Sequence, residues 1–149
     1  MYKKFILVIV MIVSSSVLAN AGGVTNIKEI INNTPLTMEV RKFDTKPLAA
    51  AAEYETTGEI PADGGTWSGD MWIPWADNSN DFREKRMEIR VEQVTNFWIW
   101  QSGEFVRFNS RARFVSNAPR VSGESRSGGE RRLIISMDVG RVVFKFERL

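Results

Sequence analysis

The 149-residue chain contains neither cysteine nor histidine, and its 20 basic and 18 acidic residues nearly balance. Those absences exclude disulfides, thiolate nucleophiles, thiolate metal sites, a Ser-His-Asp triad and the usual general base near neutral pH. Carboxylates, Lys, Tyr or a hard metal ion are what remain for catalysis, so the composition favours a binding role and no enzyme.

The N-terminus reads as a secretory signal peptide. Met1-Tyr2-Lys3-Lys4 is a short basic region, residues 5–13 are an unbroken apolar run, and Ala19-Asn20-Ala21 presents the small residues a signal peptidase reads. The run falls short of the roughly 20 residues that span a bilayer. Cleavage after Ala21 is expected, leaving residues 22–149 as one domain, secreted or periplasmic and held by packing alone. It removes Lys3 and Lys4, so the charges of the remainder cancel and nucleic acid is not an expected partner. The distribution is uneven: residues 22–104 carry 8 basic and 14 acidic side chains, residues 105–149 carry 10 and 4. Either the two halves neutralise one another across paired strands, or the second half presents an anion-binding face.

Residues 27–33 read as a strand or a turn of helix, closed by the turn cluster Asn32-Asn33-Thr34-Pro35. Residues 36–41 alternate apolar and polar with the period of a half-buried strand, and Phe43, out of phase, predicts a bulge near Lys42. Residues 48–55, with four alanines, read as irregular or a short helix. Residues 58–65 are turn-rich. Residues 66–75 form a strand interrupted at Pro74, which cannot donate to a ladder, so the strand is an edge, is bulged or ends there. Residues 76–81 read as a polar loop.

Residues 85–92 alternate Met87, Ile89 and Val91 against Glu88, Arg90 and Glu92. Residues 96–101 are apolar on both sides, with Phe97 and Ile99 opposite Trp98 and Trp100. A hairpin turn at Ser102-Gly103-Glu104 leads into a strand at 105–108, and a further strand is expected at 111–115. Residues 116–130 read as a long loop, and 131–137 and 141–146 as a final hairpin across Asp138-Val139-Gly140. Seven to nine short strands predict an all-β, single-domain antiparallel β-sandwich, with a small closed β-barrel as the alternative. The wet faces interrupt the apolar band that an outer-membrane barrel requires.

All five tryptophans lie between positions 67 and 100. Exposed indoles stack on sugar rings or sit at membrane interfaces; buried ones fill cores. With Met71, Ile73 and Trp75 on the core side, Trp67 and Trp72 are expected to be exposed beside Asp70 as a ligand platform, with Trp98 and Trp100 as further ligand-binding candidates. Arg107, Arg111 and Arg113, on neighbouring strands beside aromatics, form a candidate anion site for acidic glycans or lipid head groups, or else pair with Glu88 and Glu92. Asp77, Ser79 and Asp81 place oxygens at alternate positions, a pattern that suits Ca²⁺ but lacks the Gly and distal Glu of a complete loop. No other cofactor is implied.

The reading that follows is a secreted, non-enzymatic, lectin-like module that binds a carbohydrate or glycoconjugate. Its alternatives are a membrane-surface, lipid-recognising, toxin-like sandwich, and a structural or inhibitory protein partner. Mass spectrometry of exported material is expected to show a chain beginning at Gly22; a chain still beginning at Met1 contradicts the signal-peptide reading.

Overall fold

The computed structural model describes residues 23–44, 54–92 and 96–149. The signal-peptide segment and most of the alanine run at 48–55 lie outside the described residues. The strands are β1 (Thr25–Asn33), β2 (Met38–Phe43), β3 (Tyr54–Ile60), β4 (Gly65–Trp72), β5 (Arg86–Val91), β6 (Phe97–Ser102), β7 (Phe105–Asn109), β8 (Ser122–Gly123), β9 (Gly129–Asp138) and β10 (Arg141–Arg148), with one helix, α1 (Ser79–Glu84), before β5. They form two five-stranded sheets that do not close into a barrel, ordered β4-β1-β9-β10-β8 and β3-β2-β5-β6-β7. The fold is an all-β sandwich. Its pairing is antiparallel except at β1–β9 and β8–β10, which run parallel.

The core is made by the inward phase of each strand. Ile27, Ile30, Met71, Leu133 and Phe146 of the first sheet meet Val40, Met87, Ile89, Ile99 and Val106 of the second, all essentially inaccessible to solvent. Ile27 and Ile30 are three apart yet both inward, because the register of β1 shifts between Ile27 and Glu29 and turns Lys28 and Glu29 outward together. The bulge expected near Lys42 is absent. Pairing of β2 with β5 is unbroken from Met38 to Phe43, so Lys42 keeps the phase of Met38 and Val40 and is buried. The irregularity lies instead between Glu39 and Arg41, where β3 inserts an extra residue around Gly58, at φ 65°.

Buried amides fasten the chain where it crosses between sheets. Asn32 donates through Nδ2 to the carbonyls of Leu36 and Pro61 at 2.8 and 3.0 Å, and accepts from the Thr34 amide at 3.0 Å. At the other crossing, Gln101 of β6 accepts from the Thr25 amide at 2.8 Å and donates to the Ile73 carbonyl at 3.2 Å. Removing either side chain would leave buried backbone groups without partners.

Three expected elements differ. The strand at 111–115 is a bend, because the Asn109 side chain accepts from the Arg111 amide and donates to the Arg113 carbonyl, turning the chain out of the ladder. The polar loop at 76–81 runs into α1, with Asn78 as N-cap accepting from the Asp81 amide. Six residues are too few to show a helical period. The loop at 116–130 contains β8 and bridges to β7 at Arg120 and Arg126, so it covers that edge.

The β9–β10 hairpin turns through Val139 and Gly140 at φ 49° and 72°, the two-residue geometry that favours Asn-Gly. Val139 is β-branched and 94% exposed, so it contributes strain and little packing. Val139→Asn is expected to raise unfolding free energy by about 1 kcal/mol, read from chemical denaturation; an unchanged or lowered midpoint contradicts the strain.

Candidate functional site

The alternation of β4 decides which tryptophans can meet a ligand. Trp67, Gly69 and Met71 share the inward phase, and Asp70 and Trp72 share the outward one. Trp67 is therefore not beside Trp72: five positions apart in a regular strand, they face opposite sides. The Trp67 indole packs on the core across Gly69, where an added Cβ would lie 2.6 Å from the ring. Asp70 is on the expected face but already engaged. Its carboxylate accepts from Lys28 Nζ at 2.7 Å and Asn26 Nδ2 at 2.8 Å, which hold its pKa below the ordinary carboxylate value. The same hydrogen bond raises the Lys28 ammonium.

Trp72 is 47% exposed. Beyond it the chain leaves the first sheet at Ile73 and Pro74, both buried, and runs beside β6, where the Gln101 amide donates to the Pro74 carbonyl at 2.8 Å and the Ala76 amide to the Gln101 carbonyl at 2.9 Å. This crossing leaves an open groove of about 560 Å³ between Trp72, Trp75, Val24, Lys42, Asp44 and Lys85. Trp75, assigned to the core from its phase, is half-buried and lines the groove. Sequence reasoning also passed over Lys42, Asp44 and Lys85. The period-two pattern through Met38 and Val40 could have placed Lys42 inside, but nothing local brings β2 to the end of β4.

Trp98 and Trp100 do share the outer face of β6, as expected. Trp100 has no exposed surface. It lies beneath Phe82 of α1 at a centroid distance of 5.3 Å, edge to face, and beside Phe114 at 6.0 Å, with Ala76 and Ala118 completing a second small core. It cannot touch a ligand while that cover is in place. Trp98 is half-buried, its Nε1 donating to Glu88 Oε1 at 3.3 Å, beside a smaller groove of about 310 Å³. Further across this face Arg86 stacks on Phe43 and Arg41 on Tyr54, at 4.5 and 4.7 Å. Each arginine also pairs with a glutamate, Glu88 or Glu39, and Arg41 with Thr56 holds the Glu39 carboxyl below its ordinary range. The patch satisfies itself.

The arginine trio is not a cluster on neighbouring strands. Only Arg107 is on a strand; its guanidinium donates to the Ala118 carbonyl at 2.5 Å, holding down the cover of its cross-strand neighbour Trp100. Arg111 and Arg113 are exposed in the bend, and Glu88 pairs with Arg86 in their place. Ser79 is the first residue of α1, the Asp81 carboxylate accepts from the Asp77 amide at 3.2 Å, and the Asp77 carboxylate accepts from Ser102 Oγ of β6 at 3.4 Å. Among the described residues no group of three or more acidic side chains is placed to hold a metal ion.

No protein-family model matches the chain, and neither a curated protein nor a solved structure matches it.

Proposed function

We propose that the protein is a secreted, non-enzymatic binding module that recognises a carbohydrate or glycoconjugate through the groove at Trp72. The observation that carries the reading is the half-exposed Trp72 indole, set with Trp75 against a buried Ile73–Pro74 floor and rimmed by polar groups. A sugar has an apolar ring face and polar edges. An indole covers the face, and Lys42, Lys85 and Asp44 offer donors and an acceptor to the edges. Trp67 supports this platform from the core side rather than forming part of it, and Asp70 orients Lys28 rather than a ligand.

Intrinsic fluorescence titration against a panel of oligosaccharides checks the reading. A saturable change is expected with one or more, lost in Trp72→Ala. With about half of its surface buried, Trp72 contributes some packing, so that variant is expected to lose about 1–2 kcal/mol of stability and still fold, as thermal melts check. A flat response across the panel, or full binding by Trp72→Ala, contradicts the assignment.

A further inference from the structure

The groove carries charge as well as an indole, and that charge points to the class of glycan; the inference rests on the reading just proposed. Lys42 reaches the groove from the buried phase of β2, and its side chain keeps only 8% exposure. Its aliphatic stem is packed away while its ammonium comes out in the groove, so the acceptors it meets are those that the groove provides. Among the described residues its carboxylate partner is Asp44, with Nζ to Oδ2 at 3.5 Å. That is longer than the roughly 2.7–2.9 Å of a charge-assisted hydrogen bond, and an ammonium has three protons to donate.

Lys85 adds a second ammonium to the same groove. It follows α1 as the C-cap, its backbone amide donating to the Asp81 carbonyl at 2.7 Å, which fixes its Cα while leaving the side chain exposed. Among the described residues no carboxylate lies within ion-pairing distance of it. The groove thus offers two cations and one anion beside a stacking surface. Arginines such as Arg90, Arg111, Arg113 and Arg141 are also exposed without a carboxylate at ion-pairing distance among the described residues, but Lys42 and Lys85 are the cations that line the groove of the exposed indole.

We infer that the ligand is an acidic glycan, a sugar bearing a carboxylate or sulfate. Its ring rests on Trp72 and its acid group meets the ammonium groups of Lys42 and Lys85. Lys42 then gains the close anionic acceptor that Asp44 at 3.5 Å does not supply, and Asp44 is left to accept from ring hydroxyls.

The test is calorimetric titration of the exported protein with two matched pairs, tetragalacturonate against galactotetraose and sulfated against plain cellotetraose. At low ionic strength the acidic member of a pair is expected to bind about tenfold tighter, with the ratio shrinking as salt rises. Lys85→Gln and Lys42→Met should each bring the ratio towards one; the second keeps the aliphatic stem, and thermal melts confirm that both variants fold. Equal affinities within each pair, or a preference that survives both substitutions, overturns the acidic-ligand inference while leaving glycan binding in place. Binding to neither pair, or capture only by phosphatidylserine vesicles, overturns this inference and the glycan reading together.

Discussion

The arrangement depends on one buried ring outside the sandwich. Strand β6 is apolar on both faces, so Phe97 and Ile99 can enter the core only if Trp98 and Trp100 point out of it. An indole left in water on the outer face would forfeit a large apolar area. The chain therefore covers it, with α1 contributing Phe82 and residues 110–119 contributing Phe114 and Ala118, held down by Arg107. To bring α1 there, the segment after β4 must cross from the edge of the first sheet to β6. The groove beside Trp72 lies along that crossing, lined by Ile73, Pro74 and Trp75. Covering one tryptophan thus sets the surroundings of another.

Charge organises the remaining surface. Among the described residues the acidic stretch before position 105 and the basic one after it are joined by two ion pairs, Arg132 with Glu29 and Arg126 with Glu104. On the outer face of the first sheet Lys28 pairs with Asp70, and Arg132 lies between Glu29 at 2.9 Å and Glu147 at 3.7 Å. Arg131, in the buried phase of β9, donates to the carbonyls of Glu124 and Glu130 and fixes the entry into that strand. Exposed pairs of this kind contribute little stability, but opposite charges facing one another favour the native register over its neighbours.

Much of the fold was legible because a strand's side chains alternate whatever surrounds it. The segments at 86–91, 97–102 and 141–148 are read directly from that period, and Ser102-Gly103-Glu104 and Val139-Gly140 from turn chemistry. Trp67 was misplaced by a counting of phase that the same rule corrects. Other features needed tertiary information. The helix α1 is a single capped turn and a half whose reason for existing, Trp100, is 18 residues from Phe82. Residues 111–113 have strand-like composition, and one Asn109 side chain diverts them. Of the candidate site, Trp72 was identified in advance. Its companions Lys42, Asp44 and Lys85 were not, because they come from β2, its following loop and the end of α1, and only the sandwich brings them together.

The central claim is that Trp100 is sealed while Trp72 faces solvent, and the indole N–H signals of the five tryptophans report on it directly. With a soluble paramagnetic probe in residue-assigned NMR spectra, Trp72 is expected to broaden first and Trp100 last, with Trp67, Trp75 and Trp98 between them. A Trp100 signal that broadens as readily as that of Trp72 would contradict the account.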